Sequence, residues 1–112
     1  MVINIRFLFW RKMQEFEQQI FTALFYLPAG KLTTYGRLSK SAGYPNHSRQ
    51  VGRILSRLPK NTKLPWFRVV NSAGKISLSG DAFKEQKRLL EKEGMTVTAQ
   101  GKIQGFKKYL SD

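Results

Sequence analysis

TTYGRLSKSAGYPNHSRQVGRILSRL, residues 33–58, holds two helix starts and one stop, and their order decides the fold. Thr33 or Thr34 can cap a short helix running to about Ala42, since a threonine hydroxyl accepts from an N–H that a helix start leaves without a partner. Gly43 can close that helix, because glycine takes left-handed backbone without a Cβ penalty. Gly43 to His47, with Tyr44-Pro45-Asn46 inside it, makes a tight turn. A further helix then runs from about Ser48 to Leu58, with Val51, Ile54, Leu55 and Leu58 supplying its buried side. Two short helices joined by a tight turn, the second of them basic, predict a helix-turn-helix. Arg49, Arg53 and Arg57 recur every four residues and form one slowly drifting stripe. None has an acidic residue four positions away.

Upstream, Met13, Phe16, Ile20, Leu24 and Leu27 fall at helical spacing, and Pro28 with Gly30 stops the pattern. Residues 1–12 are either an extension ahead of the domain or the start of this first helix. Their apolar run MVINIRFLFW is broken by Asn4 and Arg6, has no basic segment before it and no small-residue cleavage site after it, so a signal peptide is not expected. Downstream, Pro59 ends the basic helix. Phe67–Val70 and Lys75–Leu78 are short β-like runs around the turn Asn71-Ser72-Ala73-Gly74, which predicts a small hairpin. Asp81 can cap a long helix to Glu93, with Gly94 at its end. Met95, Val97, Ile103 and Phe106 suggest one or two further strands in residues 95–112. The expected architecture is a single domain over 13–112, mainly α with a small β-hairpin, of the winged helix-turn-helix kind.

Charge limits the partners. The 112 residues carry 20 Lys+Arg against 7 Asp+Glu, a net +13. Between residues 18 and 80 there is no acidic residue at all, while Lys31, Lys40, Arg49, Arg53, Arg57 and Lys60 all lie there. A field of one sign attracts polyanions, and phosphate contacts from such residues position a protein on DNA without reading its sequence. An anionic membrane is a poor fit, because the basic stretch is not one amphipathic helix. No apolar run approaches the roughly 20 residues a membrane span needs. Cysteine is absent and His47 is the one histidine, which excludes thiolate chemistry and makes a metal site unexpected. No cofactor is implied. The expected location is the cytoplasm, on the nucleoid in a bacterium, and the expected state is a monomer.

Several segments in register resemble a known family. Pro28-Ala29-Gly30-Lys31, Thr34-Tyr35-Gly36, Ser48-Arg49-Gln50-Val51-Gly52, Pro65-Trp66-Phe67-Arg68-Val69-Val70 and Leu90-Glu91-Lys92-Glu93-Gly94 are similar to the DNA-binding domain of O6-alkylguanine-DNA alkyltransferases over about residues 13–95. The active members have Cys-His where this chain has Trp66-Phe67. An indole is no nucleophile here, and a phenyl ring relays no proton. Tryptophan at this place resembles the alkyltransferase-like branch, which implies lesion binding without alkyl transfer and a link to nucleotide excision repair proteins.

The resemblance assigns roles. Arg49 is the finger that fills the space left by a flipped nucleotide, and Tyr35 helps rotate the neighbouring phosphate. Ser48 opens the helix that bears the finger. Trp66, Phe67, Arg68 and Ser79, with Tyr35, surround the flipped base, and Arg53, Arg57 and Lys60 with Lys31 and Lys40 neighbour phosphates. The family enters DNA by the minor groove. Arg68 is expected to hold its loop, and Glu93, left without a relay to serve, to bond to that loop. The enzymes have an asparagine that supports the turn, and the aligned place here is near Leu58, so the loop must be held differently. Ser79 replaces a larger tyrosine or arginine. The function implied is a non-enzymatic sensor of O6-alkylguanine in duplex DNA. The alternative is a winged-helix regulator indifferent to lesions. A residual glycosylase lacks a carboxylate–histidine pair to support it.

Overall fold

The computed structural model describes residues 4–111; residues 1–3 of the N-terminal segment and Asp112 lie outside it. The Asn4 side chain accepts from the Arg6 N–H, and helix α1 then runs unbroken over Ile5–Phe25. Its packed half begins at Phe16. Phe16, Ile20 and Leu24, four residues apart, are buried, whereas residues 5–15 are all exposed, Met13 included. Residues 5–12 therefore continue the helix without continuing the core.

After Gly30, in left-handed backbone, come strand β1 (Thr33–Thr34) and helices α2 (Tyr35–Ser41) and α3 (Ser48–Ser56). Of the two candidate caps, Thr34 acts, its hydroxyl accepting from the Arg37 N–H at 3.1 Å. The turn between α2 and α3 is stitched from inside by Ser39, which is fully buried. Its hydroxyl donates to the Tyr44 carbonyl and accepts from the His47 N–H. Helix α3 stops two residues short of the expected Leu58, where the Arg57 N–H turns back to the Ile54 carbonyl in a tightened last turn. Phe16, Ile20 and Leu24 meet Leu38 of α2, Val51 of α3 and Val69 in one helical core.

The hairpin is corrected. Trp66–Arg68 coils into a 3-10 turn, which leaves only Val69–Val70 extended as β2. That strand pairs in parallel with β1, Thr33 opposite Val69 and Thr34 opposite Val70. The expected turn does form: the Asn71 side chain accepts from the Ala73 and Lys75 N–H groups, and the Gly74 N–H reaches the Asn71 carbonyl. Beyond it, however, Lys75 bridges Lys102, and Ile76 donates to the Gly101 carbonyl. The partner of the 75–78 run is the tail. Among the described residues, the tail forms no regular strand. It makes isolated bridges, Val97 to Ile103 and Leu32 to Leu110, and a short helix α5 (Phe106–Tyr109).

Helix α4 (Gly80–Lys92) ends before Gly94 as expected, but Asp81 is not its cap: Ser79 holds the N-cap position and Asp81 lies in the first turn. Leu32, Val70, Ile76, Leu90, Met95, Val97 and Ile103 form a second core beneath the tail. Adjacent strand residues point to opposite faces, so Val69 goes to the helical core and Val70 to the tail core. The sheet order β1-β2 is thus the partition between two cores. Among the described residues, no helix is long and apolar enough to cross a membrane, and no group of three metal-ligating side chains occurs.

Candidate nucleic-acid interface

Among the described residues, four carboxylates are ion-paired, on α1, on α4 and at one joint. Glu15 pairs with Arg11, Glu91 with Lys87, Glu85 with Arg88 and Glu93 with Arg68. The Arg88 hydrogen bond holds the Glu85 carboxyl below its ordinary range, and Glu85 in turn raises Arg88. Arg49, Arg53, Arg57 and Lys60 are exposed and make no ion pair among the described residues, and Lys31 and Lys40 are likewise exposed and unpaired. Their charge is therefore available to a polyanion.

Helical geometry divides the arginine stripe. At 100° per residue, each step of four turns it about 40°. Arg49, the second residue of α3 after the exposed Ser48, stands one turn from Gly52. Arg53 and Arg57 have rotated away to wall a groove of about 480 Å³ between α3 and α1. Lys60 follows in the exposed loop.

Tyr35, half-buried at the start of α2, lies against α3 where Gly52 keeps its surface bare; a Cβ there would sit 4.0 Å from the Tyr35 ring. Gly52 and Arg49 are three apart on one helix face, so Tyr35 and Arg49 share a side of α3. The Tyr35 hydroxyl accepts from the Ser77 hydroxyl at 3.2 Å, which leaves the phenol proton free to donate elsewhere. Ser77 was not among the expected pocket residues. The alternation Lys75-Ile76-Ser77-Leu78 carries the signal: Ile76 is buried, and Ser77 must face the other way. Ser79, which was expected there, is exposed at the N-cap of α4 and makes no side-chain hydrogen bond.

The 66–68 turn is held from three directions. The Arg68 Nε donates to both Glu93 oxygens, at 2.9 and 3.1 Å, and its Nη2 donates to the same carboxylate. Its Nη1 donates to the Leu27 carbonyl at the end of α1, and Glu93 accepts the Gly30 N–H. The pair is mostly buried (13% and 16% exposed). Removing one partner of such a pair costs about 3 kcal/mol, because the other charge is left stranded. The third hold is Gln86, 1% exposed, whose amide donates to the Phe67 and Val69 carbonyls at 3.0 and 2.9 Å. Gln86 is the support that the absent asparagine near Leu58 called for. A glutamine at a core position of α4 was its only sequence signal.

On this turn Trp66 and Phe67 meet edge to face at 6.0 Å, and the Arg68 guanidinium lies over the Phe67 ring at 5.2 Å. Indole, phenyl and a guanidinium tied to a carboxylate offer an aromatic wall and no nucleophile or proton relay. His47 is not nearby chemistry; it packs with Phe16 and Tyr44 in the α2–α3 turn. Tyr35 and Trp66 make no hydrogen bond or ring contact with each other.

A helix-turn-helix with unpaired arginines on its second helix, backed by a rigid aromatic turn, is a DNA-binding domain by class. Residues 15–95 match the family described as "6-O-methylguanine DNA methyltransferase, DNA binding domain", and the chain belongs to that family, in its alkyltransferase-like branch. It is 50% identical over 97 residues to a "DNA base-flipping protein" of Vibrio parahaemolyticus, covering 87% of this chain and 96% of that one. It is 38% identical over 88 residues to "Alkyltransferase-like protein 1" of Schizosaccharomyces pombe, covering 77% and 82%. The fold superposes with a TM-score of 0.78 on S. pombe Atl1 in complex with damaged DNA containing O6-carboxymethylguanine, at 34% identity over 88% of this chain and 96% of that one.

Proposed function

We propose that this protein is a non-enzymatic sensor that flips O6-alkylguanine out of duplex DNA through the minor groove and passes the lesion to nucleotide excision repair. The observation that carries the reading is the 66–68 turn, whose scaffold is complete while its chemistry is absent. Arg68, Glu93 and Gln86 fix it, and the half-buried rings it carries, Trp66 and Phe67, include no group that accepts an alkyl chain. O6-alkylation spoils pairing with cytosine, so the lesion leaves the stack at less cost than guanine, and a binder turns that difference into selectivity.

In this reading Arg49 fills the vacated stack. Tyr35, its oxygen satisfied by Ser77, directs its proton to the phosphate or base beside it. Trp66 and Phe67 wall the flipped base, while Arg53, Arg57 and Lys60 neighbour phosphates. The protein works as a monomer in the cytoplasm, on the nucleoid in a bacterium. A plain winged-helix regulator would use a free hairpin as its wing, and the 71–78 segment is instead bound to the tail.

The test is fluorescence binding to matched duplexes carrying O6-methylguanine or guanine across a salt series, with mass analysis of the DNA afterwards. Lesion binding should be tighter, the methyl group should stay on the DNA, and the salt slope should be about −0.9 per phosphate neutralised. Arg49→Ala should weaken lesion binding about tenfold or more. Equal binding to both duplexes would overturn the sensor, and a methyl group found on the protein would overturn the absence of catalysis.

A further inference from the structure

The first half of α1 does not serve the core. Ile5 is 80% exposed, Phe9 66% and Trp10 54%, and apolar surface displayed in such a run marks an interaction site. This arm forms one wall of the α1–α3 groove. The groove is lined by rings more than by aliphatic chains: Phe9 and Trp10 come from α1 and Tyr44 from the α2–α3 turn. Phe16 braces Tyr44 from below, edge to face at 5.4 Å. Arg53 and Arg57 stand on the α3 wall and Lys12 on the α1 wall, none of them in an ion pair among the described residues, and Glu17 is the one carboxylate in the lining, so the net charge is positive and sits on α3.

Flat exposed rings between unpaired cations are the chemistry that holds unpaired nucleotides, with bases stacked on the rings and phosphates on the cations. We propose that the α1–α3 groove is a second nucleic-acid site, specific for an unpaired stretch of a strand. Charge complementarity chooses this occupant over a second copy of the chain, which would bring a further +13 to a groove whose α3 wall already carries two unpaired arginines. The turning stripe on α3 gives continuity: Arg49 faces the duplex side with Gly52, and Arg53 and Arg57 lead from there into the groove. The two sites share Arg53 and Arg57 but not Arg49 or the groove's rings, so the preference for bases and the preference for the lesion can fail separately.

The test is fluorescence anisotropy with a labelled oligothymidylate of about eight residues, a length within the usual site sizes, against an abasic oligomer of equal length. Stacking predicts that the full-length protein prefers the oligothymidylate about tenfold, since the two probes differ in bases and not in phosphates. The double variant Phe9→Ala/Trp10→Ala should lose that preference and keep its affinity for an O6-methylguanine duplex. Both side chains are exposed, so an unchanged circular dichroism spectrum is expected. Arg49→Ala should leave the preference intact. Equal binding of the two oligomers by the wild type would overturn the site, as would a preference that survives the double variant or vanishes with Arg49→Ala. An acidic amphipathic peptide that saturates the groove with no effect on bound oligothymidylate would also overturn it, and would assign the groove to a protein partner.

Discussion

The core under the three helices and the core under the tail are separated by the two-stranded sheet and built by different means. In the helical core, side chains at regular spacing on α1, α2 and α3 fill a shared space. In the tail core, the chain is bent into position by glycines and isolated bridges, and the side chains follow. Gly74, at φ 74°, turns where the Phe106 ring lies so close that a Cβ would sit 2.2 Å from it. Gly101, at φ 90°, does the same against Phe83, at 2.6 Å. One core is limited by what fills it, the other by what it has no room for.

That contrast can be attacked from both sides and at the joint. Leu24→Ala, in the helical core, should lower unfolding free energy by about 3–4 kcal/mol, the cost of a buried cavity, as read by urea denaturation. A loss under about 1 kcal/mol would mean that the helices collapse around the gap and that the core is not close-packed. Glu93→Gln keeps the shape of the joint and removes its charge. It should cost about 3 kcal/mol and raise hydrogen exchange at the Gly30 amide, which Glu93 accepts. Protection at Gly30 unchanged in the variant would show that the pair does not tie α1 to α4. Gly74→Ala adds one methyl and should cost about 2 kcal/mol, from crowding and left-handed backbone together. Its exchange should rise first at Ile103, which donates to the Gly74 carbonyl. A neutral substitution there would put the tail core in the same class as the helical one.

The same contrast explains what could be read from the residues alone. The helix-turn-helix was legible because its signals are local: Thr34 as cap, Gly43 as stop, Val51 as the buried register mark. The β region was legible only in part. The Asn71–Gly74 turn is local chemistry, and it forms. The partner of Lys75 lies 27 residues further on, at Lys102, and no pattern near residue 75 names it. In the site, Arg49, Tyr35, Trp66 and Arg68 stand out by resemblance, and the Arg68–Glu93 bond follows from it. Ser77 and Gln86 act through hydrogen bonds to residues 42 and 17–19 positions away, which a linear reading has no means to pair. The division of the arginine stripe needed the position of α1, whose exposed first half sets the groove's far wall.

No hydrogen bond of the 66–68 turn runs through the Trp66 side chain. The turn is shaped by the carbonyls one and three positions along, held by Gln86, and by the Arg68 guanidinium two positions along. Position 66 is therefore an interchangeable fitting on a fixed mount. The family resemblance gives a reactive protein the same arginine and glutamate but a different support for the turn, so a lineage passing from one to the other changes the fitting and one of its braces, while the Arg68–Glu93 bond stays.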